Sequence, residues 1–193
     1  MGGKSFEDKI WHALEDSVGQ DGVVLLRRQS FSARSGHGFQ ADQITGDLIV
    51  DSPIESMYVG VECKTINTKY YFYFNGNYDP EQIESQVEYM ELSGRDIFVA
   101  LEARGDPDSK AGWEEDRAFL FPIELFQYFA EDNGTKVPYE DMETFGCLLG
   151  TDGDYTVNAE KMKHARAKKK EFERRLKGIR EGNLDDFEEE EDG

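Results

Sequence analysis

The segment Tyr58-Val-Gly-Val-Glu-Cys-Lys64 constrains this chain most. Its residue types read as a β-strand, and on a strand the side chains at i and i+2 share a face. Val61 and Cys63 then make an apolar face fit for a core. Glu62 and Lys64 share the opposite face. An acid and an ammonium on an interior strand are costly unless they have partners or a task. The plainer alternative is a surface ion pair on the solvated face of an edge strand.

A second acid joins them. Asp47 opens the apolar run Asp47-Leu-Ile-Val50, read as a strand. Asp51-Ser-Pro-Ile-Glu-Ser56 reads as a turn, so the two strands form an antiparallel hairpin with Asp47 beside Glu62. Adjacent carboxylates repel unless a hard cation lies between them. Mg²⁺ takes oxygen ligands, commonly one or two carboxylates completed by water and phosphate. Lys64 beside such an ion could orient or help deprotonate a water, or steady a pentavalent phosphate. Read alone, Asp47 is also an ordinary turn or cap residue after Gly46.

Glu7 is the third acid. Phe6, Ile10, Leu14 and Val18 recur at helical spacing, with Trp11 beside them, so 5–18 reads as an amphipathic helix. Ser5 followed by Asp8 is a capping-box variant. Glu7 lies three, four and seven residues before Ile10, Trp11 and Leu14, on or beside the inward stripe. Its alternative role is a first-turn acid favoured by the helix dipole.

Other segments complete an α/β pattern. Val23–Leu26 reads as a strand, 29–46 as a loop, Pro80–Ser93 as a helix and Asp96–Leu101 as a strand. Residues 104–115 read as a polar loop, 117–121 as a strand and 123–131 as a short helix. Residues 135–158 read as irregular, with one strand at Tyr155–Val157. Residues 159–181 compose a basic helix, and 182–193 an acidic tail expected to be disordered. The expected domains are therefore 1–158, then the helix, then the tail. The aromatic run Tyr70–Phe74 reads as a strand with alternate residues in the core. It could instead stack on bases or form a dimer contact.

In order, the pattern is Glu on a helix, Asp on a strand, and Glu-x-Lys on the next strand. It resembles the PD-(D/E)xK nucleases, and most of all the archaeal Holliday-junction resolvases. The resemblance begins with Gly3-Lys-Ser-Phe-Glu7 and Val24-Leu-Leu-Arg27-Arg28. It continues through Ser35-Gly36, Asp47-Leu-Ile-Val50 and Glu62-Cys-Lys-Thr65. It ends with Gln82 and Gln86, Ile97–Leu101 and Ala118–Phe121, with a further match at Tyr155–Val157. This sequence departs from the family at Gly46, where a Pro is usual, and in its long 28–47 and aromatic 66–78 segments.

The resemblance implies a restriction-endonuclease-like core, a central mixed β-sheet flanked by helices. It implies Mg²⁺, or Mn²⁺, held by Glu7, Asp47 and Glu62, with Lys64 catalytic and Glu7 and Ser35 assisting. Arg28, Arg34 and Gln82 would contact DNA. Ser30 and Ser32 compete with Ser35, Asp42 is an alternative ligand, and Gln82 and Gln86 could equally line a solvated helix face. The implied activity is a homodimeric endonuclease acting on four-way junctions in recombination or repair. A restriction-like or other repair nuclease is the second expectation. An inactive acidic interaction protein of the same fold is the third.

Charge motivates that third expectation. The net charge is -19, whereas DNA-binding domains are normally basic. An acidic partner or DNA mimic, a protein for a cation-rich surface, and a protein of a high-salt cytoplasm all fit such a value. Residues 1–160 hold 12 Lys and Arg against 31 Asp and Glu, spread along the segment, which favours the high-salt origin. Residues 161–180 reverse the balance, with 10 basic residues against 2 acidic. With Lys168-Lys-Lys170 unbalanced, this helix suits phosphate or an acidic surface, masked or not by the tail. Its plainer reading is a solvated helix with internal pairs to Glu171 and Glu173. Cys63 and Cys147 show neither metal-ligand spacing nor a disulfide framework, and no run of about 18 apolar residues occurs. A cytoplasmic, non-membrane protein is expected. His12, His37 and His164 are scattered and carry no assigned role.

Overall fold

The computed structural model describes residues 5–17, 25–28, 46–52, 57–66, 71–73, 78–108, 112–132 and 136–181. Ser35, Arg34, Ser30, Ser32, Asp42, His37 and the tail 182–193 lie outside them.

Helix α1 (Phe6–Ser17) buries Phe6, Ile10, Ala13 and Leu14, the stripe expected from its spacing. Its capping box forms. Ser5 Oγ accepts from the Asp8 N–H, and the Asp8 carboxylate accepts from the Ser5 N–H, both at 3.2 Å. Strands β1 (Leu25–Arg28), β2 (Leu48–Ser52) and β3 (Met57–Ile66) then form an antiparallel meander. Strand β1 runs two residues past the end of its apolar run, whose first two residues, 23 and 24, lie outside the described residues. An edge strand needs no continuous apolar stretch, and pairing with β2 places Arg27 and Arg28 opposite Ile49 and Leu48.

After β4 (Tyr71–Tyr73), helix α2 (Pro80–Ser93) crosses back to β5 (Asp96–Ala103), which pairs parallel to β3. A parallel pair requires such a crossover. Asp79 caps α2 by accepting from the Glu81 N–H at 3.0 Å, Pro80 opens it and left-handed Gly94 closes it. Strand β6 (Arg117–Pro122), helix α3 (Ile123–Asp132), β7 (Lys136–Pro138), α4 (Tyr139–Phe145), β8 (Cys147–Thr151), β9 (Asp154–Tyr155) and α5 (Ala159–Glu181) follow. Among the described residues the main sheet has seven strands in the order β1-β2-β3-β5-β6-β8-β9, and β4 pairs with β7 apart from it. The sheet is mixed and flanked by helices, the α/β class expected.

Alternation along β5 divides the core. Phe98 and Ala100 pack with Ile10 and Leu14 of α1 and with Met162 and Ala165 of α5. Ile97, Val99 and Leu101 pack on the other face with Ile83 of α2 and Phe126 of α3. Helix α5 is thus built into the body of the fold, and Phe172 joins the second cluster. Phe72 of β4 is buried edge-on against Phe126 at 5.4 Å, so the aromatic run feeds the core at that residue.

Residues 135–158 are more regular than expected. They hold β7, α4 and a β8–β9 hairpin, the last strand ending at Tyr155. The hairpin turns at Asp152 and Gly153, with φ of 50° and 87°. Asp-Gly suits a turn with both central residues left-handed. Among the described residues no helix is long and apolar enough to cross a membrane.

Candidate active site

The site grows from the β2–β3 pairing. Leu48 lies opposite Val61, which brings Asp47, one residue before β2, alongside Glu62. Asp47 therefore sits just outside the strand it was expected to open. Gly46 makes this approach possible. Its φ is +85°, and a Cβ there would meet the Val61 carbonyl carbon at 2.8 Å and the Glu62 nitrogen at 3.0 Å. Only glycine accepts both that dihedral and that closeness. This accounts physically for Gly46 at the position where the resembled family has Pro.

The Cys63 N–H donates to Asp47 Oδ2 at 2.7 Å. The Asp47 carboxyl is nevertheless pushed up to about 6, first by burial, then by Glu62 and more weakly by Glu7; the Cys63 N–H and Lys64 oppose the rise. Burial and then the charges of Asp47, Glu62 and Glu7 also push the Cys63 thiol up. Glu7, at the start of α1, is therefore within electrostatic reach of Asp47 and Cys63.

Glu62 is 4% exposed, and its carboxylate is surrounded by donors. Lys64 Nζ lies 2.6 Å from Oε1. Gln82 Nε2 donates to Oε1 at 3.0 Å, and Gln86 Nε2 donates to Oε2 at 3.1 Å. The two glutamines are one helical turn apart on α2 and face inward onto β3, with Gln86 fully buried. The solvated-face alternative for them does not hold, because α2 lies over the Glu62 face of β3. Val61 is buried on the opposite face with Cys63 packed beside it, as strand alternation requires.

Two features escaped the sequence reading. Tyr78, just before α2, is 2% exposed; Lys64 Nζ lies 4.6 Å from its ring centroid, and its hydroxyl donates to Gln86 Oε1. Its only signal in the sequence is a tyrosine near a helix start. The second is a buried pair on the α1 side of the sheet. Glu102 Oε1 accepts from Lys9 Nζ at 2.6 Å and from the Tyr155 hydroxyl at 2.8 Å. An acid interrupting the apolar run Ile97-Phe-Val-Ala-Leu-Glu-Ala103 was the available signal.

A hard divalent cation suits the Asp47–Glu62 pair. The donors are carboxylate oxygens, and the Asp47 carboxyl, raised first by burial and then by the Glu62 charge beside it, would be favoured in its charged form by such a cation. Among the described residues, no three acidic, histidine or cysteine side chains converge as a ready metal cage. The fit is thus that of one or two carboxylates completed by water and substrate oxygens. Arg28 lies on β1 opposite Leu48.

No protein-family model matches this chain, and no curated protein matches it in sequence. Among solved structures, the chain is similar to Archaeoglobus fulgidus Hjc, a Holliday junction resolvase from an archaeal hyperthermophile. The match has a TM-score of 0.46 and 16% sequence identity, and covers 73% of this chain and 91% of that chain.

Proposed function

We propose that this chain is a metal-dependent DNA endonuclease that hydrolyses phosphodiester bonds at the Asp47, Glu62 and Lys64 cluster. One observation carries this reading: Asp47 is placed beside a Glu62–Lys64 pair separated by 2.6 Å on a single strand face. Asp47 and Glu62 would hold Mg²⁺, or Mn²⁺ in its place, with Glu7 contributing through its charge or through water. When bound, such an ion polarises a phosphoryl oxygen and lowers the pKa of a water.

The chain's own residues do the rest. Gln82 and Gln86 keep both Glu62 oxygens oriented. Lys64 places an ammonium where charge develops on the phosphate as the water oxygen bonds to phosphorus and the P–O bond to the leaving sugar breaks. The water's proton is taken up by a base, and the leaving oxygen is protonated in turn. Ser35, Arg28 and Arg34 are proposed phosphate contacts. Selectivity for four-way junctions and a homodimeric state are proposed on the resemblance of Glu7, Asp47 and Glu62-Cys-Lys64 to the junction resolvases. A related restriction-like or repair nuclease uses the same cluster on a different DNA.

A second reading has its own observation. Both Glu62 oxygens are occupied by protein donors, and the net charge is -19. A nuclease-like fold serving as an acidic interaction protein would look like this. The two readings separate on one experiment. The protein is incubated with Mg²⁺ or Mn²⁺, at low and at molar salt, with a four-way junction, linear duplex and single strands. Paired nicks confined to the junction support the resolvase reading, and cleavage of every duplex supports a broader nuclease. No cleavage under any condition, with Asp47→Asn indistinguishable from wild type, leaves the interaction protein.

A further inference from the structure

We infer that Tyr78 is a positioning residue of this site, its ring face holding the Lys64 ammonium and its hydroxyl fixing the Gln86 amide that orients Glu62. The inference rests on the proposed nuclease site and names a residue that the sequence pattern does not contain.

Proton bookkeeping fixes the network. Gln86 Nε2 donates to Glu62 Oε2 at 3.1 Å, the carboxylate oxygen accepting. The amide oxygen then faces Tyr78, and the phenol must donate to it. Without the phenol, the Gln86 oxygen loses that donor and the amide is freer to turn its oxygen toward Glu62, where two acceptors would repel. The hydroxyl thus selects one of two amide orientations.

The ring acts separately. Lys64 Nζ stands 4.6 Å from its centroid and 2.6 Å from Glu62 Oε1. The ammonium is thereby held between a carboxylate and the negative face of an aromatic ring. Tyr78 is itself braced, its ring tilted against Phe126 of α3 at 5.8 Å. A continuous path therefore runs from the core through Tyr78 to both ends of the Glu62–Lys64 pair. A tyrosine serving only as core filling would need neither its hydroxyl aimed at Gln86 nor its face beneath a cation.

Three variants decide the matter. Tyr78→Phe keeps the ring and removes the hydroxyl. Tyr78→Leu removes both. Phe129→Leu damages the same core through Phe145 and Phe172, away from Tyr78. The first readout is the side-chain amide of Gln86 in ¹⁵N–¹H correlation spectra, with its hydrogen exchange. The second is the rate at which Lys64 is acylated, followed by mass spectrometry. Neither needs activity.

In Tyr78→Phe the Gln86 amide should shift and exchange at least about tenfold faster, with Lys64 acylation unchanged. In Tyr78→Leu both should change, and in Phe129→Leu neither. On a DNA that the wild type cleaves, kcat should fall about tenfold in Tyr78→Phe and further in Tyr78→Leu, with KM unaltered. A Gln86 amide indifferent to Tyr78→Phe, or Lys64 protection indifferent to Tyr78→Leu, overturns the inference. If the wild type cleaves nothing, the nuclease reading falls while the two spectroscopic and chemical readouts still decide the role of Tyr78.

Discussion

The backbone N–H of Cys63 donates to Asp47 Oδ2 at 2.7 Å, tying the end of one strand to the residue between Glu62 and Lys64 on the next. The bond holds Asp47 against Glu62 although burial and that neighbour push its carboxyl from an ordinary value near 3.8 up to about 6. A folded-state pKa above the unfolded one means that ionising Asp47 costs stability. The cost is absent below about pH 4, builds as pH rises toward 6, and is complete above it. At about 1.4 kcal/mol per pKa unit, the ceiling is near 3 kcal/mol. Asp47→Asn keeps an acceptor for the Cys63 N–H and removes the charge. Without metal at pH 7.5 it should be more stable than wild type by roughly 1–3 kcal/mol in urea unfolding, an advantage that vanishes near pH 4. Millimolar Mg²⁺ should stabilise the wild type and not the variant. A variant less stable at pH 7.5, or a pH-independent difference, contradicts the placement of Asp47.

Gly46→Ala tests the approach of β2 to β3. The substitution forces an L side chain into φ +85° and drives a methyl into the Val61–Glu62 peptide, which is backbone and cannot swing aside. The left-handed dihedral alone costs about 1–2 kcal/mol, so a total loss of at least about 2 kcal/mol is expected. The strands can relieve the clash only by separating, which lengthens the Asp47–Cys63 bond. DNA cleavage should therefore fall further than the stability loss predicts at temperatures where the variant is folded. Chemical denaturation within about 0.5 kcal/mol of wild type would show that the strand pairing is looser than described.

Lys9→Met removes the cation from Glu102, which is 2% exposed, leaving it with the Tyr155 hydroxyl. Breaking one side of a buried pair strands the other charge, and a loss of roughly 2–4 kcal/mol is expected. Adding Glu102→Gln should recover more than half of it, because the stranded charge is then gone. Thermal and urea unfolding of the two single variants and the double variant give the coupling directly. Additive losses would mean that Lys9 and Glu102 do not depend on each other. Because Lys9 lies two residues from Glu7, the pair also anchors the end of α1 that places Glu7 near Asp47.

These residues differ in how plainly the sequence announces them. Strand alternation is a local rule, and it places Glu62 with Lys64 and Val61 with Cys63 from seven residues alone. The antiparallel pairing brings Asp47 to Glu62 because only residues 53–56 separate the two strands in sequence. Gln82 and Gln86 share a helix face by spacing, but which way that face points depends on how α2 crosses from β3 to β5. Tyr78 reaches Lys64 only after that crossover has formed, and Lys9 meets Glu102 across 93 residues of chain; no periodicity encodes either. The β8–β9 hairpin is another case. Asp152-Gly153 is a strong turn signal, but the strands it joins are five and two residues long, too short to show a repeating pattern.

Helix α5 carries cations tied to the body of the fold and others that are exposed. Lys168 donates to the Thr144 carbonyl at 2.9 Å, Lys169 pairs with Glu124 at 2.5 Å, and Arg166 pairs with Asp96. Lys170 and Arg174 are exposed and four residues apart, so they share the outer face of the helix. If α5 follows a DNA backbone, those two should release counterions on binding, and Lys169 should not. In an Asp47→Asn background, which the proposed nuclease site predicts to be inactive, binding of a duplex or junction is followed by anisotropy across a salt series. Lys170→Glu with Arg174→Glu should weaken binding and reduce the slope of log K against log salt by about 1–2, near 0.9 for each phosphate no longer neutralised. Lys169→Gln should lower stability through Glu124 and leave the slope alone. An unchanged slope in the double reversal removes α5 from the DNA interface and returns its cations to holding the acidic body of the fold together.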